Sequence, residues 1–242
     1  FMSTSGSPFS RLVTVPVTGS TQDDLRSALR GPEAEAWPHL SALRALRQTA
    51  GRGRSGRAWV TPDDGALLVS VVLRPLVPAR LLTWVPLLAG LAVRDALEPF
   101  VRGRGWRMGT KWPNDVVAVP ESSTVVAPVP GWASTRKIAG VLSELVTPEP
   151  SEGRTTQLSV ADEGPAGRAE APMVILGVGV NIGQEVDDLP VAWAGSLRTL
   201  GVVDADGDSA HAAVAEVALN AIGHQLARRL EQWEGVCGDV DA

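Results

Sequence analysis

The segment Ala66–Leu73 (Ala-Leu-Leu-Val-Ser-Val-Val-Leu) restricts the fold of this chain more than any other. It is almost wholly apolar, rich in β-branched side chains, and does not alternate between apolar and polar positions. A run of that kind is a strand covered on both faces, so it predicts a central strand with a layer of structure above and below. Met173–Ile182 (Met-Val-Ile-Leu-Gly-Val-Gly-Val-Asn-Ile) reads as another strand, and Gly177 and Gly179 let something approach its backbone closely. Further strands are expected at Val13–Val17, Val116–Val119 and Ile138–Leu145, while Leu40–Arg47 fits a helix or a strand.

Pro78–Phe100 is apolar on most faces and predicts a helix buried in the core. Its most apolar part, Leu81–Val93, is 13 residues long, too short to span a bilayer. A short helix should begin near Gln22, with Ser20 and Thr21 at its cap and Asp23 and Asp24 in its first turn. A last helix is expected from Ser209, carrying Val214, Val217, Ala221, Leu226, Leu230 and Trp233 at helical spacing. Strands and helices mix without regular alternation, which predicts an α+β fold with a mixed β-sheet flanked by helices. The 242 residues are expected to form a single domain. Residues 1–12 should be flexible, Pro32–Pro38 a polar loop, and the Pro-rich stretches 121–135 and 149–170 peripheral insertions.

Charge is unevenly written. The net charge is −5, yet Arg44, Arg47, Arg52, Arg54 and Arg57 fall in one stretch with no acid between them. A focused positive site on an acidic protein suits a small anion better than a long polyanion, so nucleic acid is not an expected partner. Of 22 basic residues only Lys111 and Lys137 are lysine. A compact ammonium is kept at two places in a chain that otherwise uses guanidinium. A lone cysteine, Cys237, and three scattered histidines exclude a disulfide framework and argue against a zinc cluster. The opening residues carry neither a basic nor an apolar leader, so a cytoplasmic, membrane-free location is expected.

Three segments can carry chemistry. In Gly51-Arg52-Gly53-Arg54-Ser55-Gly56-Arg57 the glycines let backbone N–H groups turn toward an anion, and guanidinium forks bind phosphate or carboxylate. The glycine spacing is neither that of a Walker A loop nor that of a dinucleotide fingerprint, and a solvated basic loop touching RNA remains an alternative. Lys111-Trp112-Pro113-Asn114-Asp115 is a turn in which Trp112 offers a stacking face for a purine or an anchor for the core. Lys137, three residues before Gly140, is either an exposed strand-start lysine or a group reaching a ligand carboxylate or phosphate.

Together with Ser20-Thr21, Gln48, Trp59 and Gly177–Asn181, these segments resemble in order and type the motifs of biotin protein ligases, over residues 13 to 235. The resemblance implies a catalytic domain of the biotin/lipoate ligase type, similar to class II aminoacyl-tRNA synthetases. It also implies a two-step reaction with ATP, Mg2+ and biotin, ending on a lysine of a biotin carboxyl carrier protein domain. Biotin would be held by Ser20, Thr21, Gln22, Gln48, Gly51, Arg52, Gly53, Arg54, Trp59, Lys137 and Gly140. The nucleotide would meet Arg52, Arg54, Arg57, Lys111, Trp112, Asn114, Lys137 and Asn181, with magnesium carried by ATP rather than by a protein site. Lys137 and Arg54 would be catalytic, and Asp115 would either deprotonate and orient the acceptor lysine or hold Lys137 in place.

The chain departs from the family pattern at Gln22, where Asn is common, and at Ser55, where a basic residue is common. The Gln22 side chain could hydrogen-bond biotin or turn away. Nineteen residues before Ser20 are too few for the winged-helix domain of repressor-type members, so no DNA binding is expected. The β-barrel domain usual after the last helix is expected to be missing, and the protein to act as a monomer. The nearest alternative is a lipoate or octanoate ligase.

Overall fold

The computed structural model describes residues 6–61, 65–146, 164–203 and 208–236, without the side chains of 208 and 209. The expected insertion at 149–170 therefore lies mostly outside the described residues, as does Cys237.

Among the described residues one seven-stranded sheet dominates. Its strands are β1 (Arg11–Thr18), β2 (Ser41–Gln48), β3 (Ala66–Leu73), β4 (Trp106–Lys111), β5 (Asp115–Pro120), β6 (Arg136–Val146) and β7 (Met173–Asn181). They lie in the order β1-β2-β3-β7-β6-β5-β4. β1 and β2 are parallel and the other neighbours antiparallel, which makes the sheet mixed, as expected. The ambiguous segment at Leu40–Arg47 is thus a strand, paired on both sides.

β3 and β7 are neighbours at the centre of the sheet, and their continuous apolar runs now have a cause. Leu67, Val69, Val71 and Leu73 of β3, with Val174, Leu176, Val178 and Val180 of β7, face a large core formed with α2 (Val85–Val101) and α3 (Asp208–Gly235). On the opposite face, Val72, Met173 and Ile175 pack with Leu25 and Leu29 of α1 (Thr21–Arg30). The same face of β3 and β7 also carries Leu68, Ser70, Gly177 and Gly179, where α1 reaches no further than its first turn, Thr21 and Gln22 touching Ser70 and Gly177. That gap in the α1 layer is where a ligand can reach the sheet.

Several expectations need correction. Pro78–Phe100 is not one helix: a 3-10 segment, Ala79–Trp84, precedes α2. Pro86 in the first turn of α2 explains the break, because its missing N–H is tolerated only there. Pro32–Pro38 contains a short 3-10 turn, Ala34–Ala36. Ser209 lies inside α3, which starts at Asp208. Val217 is 58% exposed, because the core stripe of α3 runs through Ala215, Ala218, Leu219, Ile222 and Leu226 and leaves it on the flank. Nor is the N-terminal stretch loose throughout. Phe9 is buried against Gly223 of α3, where a β-carbon would come within 2.7 Å of the ring, and β1 begins two residues later.

Candidate active site

Ser20 caps α1, its hydroxyl accepting a hydrogen bond from the Asp23 N–H, so the sequence Ser-Thr-Gln opens the helix at the edge of the uncovered sheet. The Thr21 backbone N–H and hydroxyl both donate to Gln48 Oε1, at 2.8 and 3.0 Å, and Thr21 Oγ1 lies 2.8 Å from Ser70 Oγ. Gln22 does not turn away. Its Nε2 donates to the Ile175 carbonyl, and its Oε1 accepts from Ser70 and lies where a β-carbon on Gly177 would be 2.7 Å away. These buried side chains form a neutral polar end to a cavity of about 500 Å³, a size suited to a small-molecule ligand.

The floor is made by glycines under an indole. A β-carbon on Gly179 would stand 2.6 Å from Trp59 Cε2, and one on Gly140 2.8 Å from Trp59 Cζ3. Trp59 is held from behind: its N–H donates to the Gly51 carbonyl at 2.8 Å, and Gly51 has no room for a side chain against the Trp59 backbone. Its own Nε1 is buried without a hydrogen-bond partner. The arginine-glycine segment is more regular than its composition suggests. Arg52 and Ala58 form an antiparallel bridge, the Gly53 N–H donates to the Arg57 carbonyl at 2.7 Å, and a 3-10 turn spans Arg54–Gly56. Ser55 takes the left-handed conformation at its tip, with φ of 56°.

At the other end of the cavity the positive charges gather. Lys137 Nζ is 2.7 Å from Asp115 Oδ1, both side chains being largely buried. A regular strand would put Lys137 and Gly140, three residues apart, on opposite faces. The register of β5 with β6 shifts between Val116 and Val117, pairing Val116 with Ala139 and Val117 with Lys137. This bulge sends Ile138 into the core and leaves both Lys137 and Gly140 on the cavity, with Lys137 Nζ 3.4 Å from the β-carbon position of Gly140. Arg54 Nη1 donates weakly to Asn114 Oδ1 at 3.4 Å, and Arg57 also lines the cavity.

Arg52 is differently placed from its sisters. Its guanidinium is 2.7 Å from Asp23 and 3.7 Å from Glu144, inside a network that also contains Arg26. The hydrogen bond from Arg26 holds the Glu144 carboxyl below its ordinary range, against the opposing effect of burial. Burial pushes Asp23 up, but hydrogen bonds from Arg26 and Arg52 overcome it and leave Asp23 lowered. The two carboxylates are therefore charged acceptors that tether the loop to α1 and β6.

Of the residues expected from sequence, Ser20, Thr21, Gln22, Gln48, Arg52, Gly53, Arg54, Arg57, Trp59, Lys111, Asn114, Asp115, Lys137 and Gly140 all line this one cavity. Gly51 supports it from behind Trp59. Two do not reach it. Trp112 is 80% exposed and faces a separate apolar groove beside Trp84 and Leu91, because the turn carries its side chain away from the sheet's ligand face. It therefore neither anchors the core nor offers a stacking face in this cavity. Asn181 is buried, donating from Nδ2 to the Gly195 carbonyl at 2.9 Å while its own carbonyl accepts from the Leu197 N–H, so it shapes the loop after β7.

Sequence reasoning missed Ser70, a single polar residue in an apolar strand, whose oddness was the available signal. It also missed Trp132 and Trp193. Trp132 comes from the 121–135 segment expected to be peripheral; that segment turns at Val129–Ala133 and delivers an indole to the cavity wall.

Comparison with known proteins identifies the family. The model of the biotin/lipoate A/B protein ligase family matches residues 15–161. The chain belongs to this family. A biotin--[acetyl-CoA-carboxylase] ligase of Mycobacterium tuberculosis is 32% identical over 234 residues, covering 94% of this chain and 67% of that protein. One from Paracoccus denitrificans is 30% identical over 211 residues, covering 87% and 69%. Among solved structures, the biotin protein ligase of Aquifex aeolicus in complex with biotin and ATP superposes with a TM-score of 0.57 at 25% identity, over 95% of this chain and 77% of that one. The Leishmania major ligase with biotinyl-5-AMP gives 0.56 at 26% identity, over 93% and 76%. The fold expected from the motifs, a ligase catalytic domain with a mixed sheet, is the fold found. Among the described residues no helix is long and apolar enough to cross a membrane.

Proposed function

We infer that this chain is an ATP-dependent biotin–protein ligase. The observation that carries the reading is the convergence of both lysines of the chain, with Arg54 and Arg57, at one end of a cavity whose other end is neutral and hydrogen-bonding. Biotin has that same division: an uncharged ureido ring needing paired donors and acceptors, and a carboxylate at the end of an aliphatic chain. Ser20, Thr21, Gln22, Gln48 and Ser70 supply the polar end, and Trp59 over Gly140 and Gly179 supplies an apolar wall for the chain.

In the first step a biotin carboxylate oxygen attacks the α-phosphorus of ATP; the bond to the β-phosphate oxygen breaks and pyrophosphate leaves, giving biotinyl-5′-AMP. Two unit negative charges 4 Å apart repel by ~4 kcal/mol at an effective dielectric of 20, which left uncompensated is about a thousandfold in rate. In this reading Lys137 and Arg54 would cancel that repulsion, with Arg57 and Lys111 toward the triphosphate. Magnesium enters as part of the MgATP substrate. The Arg52–Arg57 loop, tethered through Asp23 and Glu144, is the element that would order over the adenylate and keep water from the mixed anhydride.

In the second step the uncharged amine of an acceptor lysine attacks the acyl carbon and AMP departs, leaving an amide. That lysine, ordinarily near pKa 10.4, must first give up a proton. Asp115 is the carboxylate at hand, and its contact with Lys137 means that it also fixes the lysine's position. The acceptor in this reading is a biotin carboxyl carrier domain.

Incubation with biotin, MgATP and such a carrier domain should add one biotin mass to the carrier. Pyrophosphate exchange into ATP should be driven by biotin. Exchange driven by lipoate or octanoate and not by biotin would overturn the choice of acid.

A further inference from the structure

Lys111 and Lys137 carry the only side-chain amines of this chain, and both line the cavity in which, on the ligase reading, a reactive acyl adenylate is made. Every other basic residue is arginine, whose guanidinium stays charged and does not attack an acyl group. A lysine amine does attack once it has lost its proton. The mixed anhydride is therefore formed beside two amines able to consume it. They belong to one small area: Lys111 is paired with Asp115 across the turn between β4 and β5, and Asp115 Oδ1 is 2.7 Å from Lys137 Nζ.

The two amines are held in different ways. Lys137 is seated on a carboxylate. Lys111 is seated on an indole: its Nζ is 3.4 Å from the centre of the Trp132 ring and donates to the Gly131 carbonyl at 3.2 Å. Both of those partners stand on the tight turn Val129–Ala133, closed by a 2.7 Å hydrogen bond from the Val129 N–H to the Ala133 carbonyl. The indole is braced in turn. It stacks on Trp193 with ring planes inclined by 7°, and the Trp193 carbonyl accepts from the Lys137 N–H at 2.7 Å. A ring face attracts the ammonium form, and that form has no lone pair to offer an acyl carbon.

Resting on the ligase reading, we propose that Lys111 is a latent self-acylation site and that Trp132, supplied by the 121–135 segment, masks it. While the triphosphate is bound, Lys111 has phosphate oxygens to face. When pyrophosphate leaves, it loses them, and the adenylate stays in the cavity until an acceptor arrives. In that interval the Trp132 face and the Gly131 carbonyl hold the ammonium. Without the indole the amine gives its proton to solvent and its nitrogen bonds to the acyl carbon. The bond from that carbon to the phosphate oxygen breaks, AMP leaves with the electron pair, and Lys111 ends as a biotinyl amide. The product has lost a cation from the site and fills the cavity that made it, so one such event inactivates the molecule.

The test supplies chemically prepared biotinyl-5′-AMP to the chain in the absence of any acceptor and follows biotin on Lys111 and Lys137 by peptide mass. Wild-type chain should be labelled only slowly at either lysine. Trp132→Ala and Trp132→Leu, the second keeping apolar bulk without a π face, should be labelled at Lys111 about 5- to 30-fold faster, the worth of a cation–π contact at a partly buried site. Lys137, whose contact with Asp115 is untouched, should stay at its wild-type rate in both. Trp132→Phe, which keeps a ring face, should remain protected. Wild-type labelling of Lys111 as fast as in Trp132→Ala, or no gain at Lys111 in either the Ala or the Leu variant, overturns the mask. An equal gain at Lys137 in the Leu variant also overturns it, because the protection would then not be local to Trp132. Ready-made adenylate bypasses the first step, so the two readings fail separately. Normal biotin-driven pyrophosphate exchange with no gain at Lys111 strikes the mask alone, and wild-type chain without biotin-driven exchange strikes the ligase reading whichever lysine is labelled.

Discussion

Adding a single methyl group at Gly179 tests whether the cavity wall is built as described. The β-carbon of an alanine there would stand 2.6, 2.7 and 3.0 Å from Cε2, Cζ2 and Nε1 of Trp59. Ordinary carbon contacts begin at about 3.5 Å, so the ring must withdraw by about 1 Å. It cannot slide along the sheet toward β6, because the β-carbon position of Gly140 is already 2.8 Å from Cζ3. It cannot retreat with its backbone, which is bonded to Gly51. The indole must tilt into the cavity. Overpacking of this size costs about 1–3 kcal/mol. Expressed in the fold, that is a Tm loss of about 2–12 °C for a domain of this length; expressed in the ligand, it weakens biotin by about 5- to 150-fold. Thermal melts and biotin titration of Gly179→Ala measure the two shares. In a Trp59→Ala background the same methyl has nothing to strike, so the cost of Gly179→Ala should vanish there, a coupling read directly from the double-mutant cycle. Wild-type melting and wild-type biotin affinity in the single variant, or equal costs in both backgrounds, would refute the account of Trp59 pressed on a glycine floor.

Lys137→Arg keeps the charge but replaces a compact ammonium, seated 2.7 Å from Asp115 over Gly140, with a wide planar fork; exchange activity should fall by about a hundredfold or more, and near-wild-type exchange would count against the assignment. Arg54→Gly should still bind biotin but release the adenylate. Free biotinyl-AMP in the filtrate, or labelling of unrelated lysines, is the readout, and full retention of the intermediate would contradict the loop's role. Burial, reinforced by Arg168, pushes His39 down to about 4 from 6.5, and its Nδ1 accepts from the Arg74 N–H, so the folded protein holds it neutral. Below pH 6.5 the unfolded chain takes up the proton and the folded one does not. Stability should fall by roughly 3 kcal/mol between pH 6.5 and about 4 and then level off for this group. His39→Gln should flatten that part of the Tm profile, and an unchanged slope would show that His39 does not titrate as described.

The parts of this protein legible in the sequence are those set by short-range chemistry. The unbroken β-branched run at Ala66–Leu73 required a strand buried on both faces, and β3 is one of the two central strands. Ser20 with acids in the next turn marked a helix start, because capping is decided within a few residues. Fourteen of the seventeen site residues implied by the family resemblance line one cavity.

What sequence could not decide was direction and company. Lys137 and Gly140 share a face only because a bulge interrupts β6, and bulges depend on the partner strand. Arg52 looked like a free cation until Asp23 and Glu144, 29 residues before it and 92 after, were brought within reach. Trp112 sits inside a motif and points away, whereas Trp132 and Trp193, 61 residues apart and outside any motif, meet across the cavity. Composition and periodicity report which side chains a stretch must hide. They carry no information about which distant side chain will stand opposite, because that is set by long-range strand pairing and by the loops between strands.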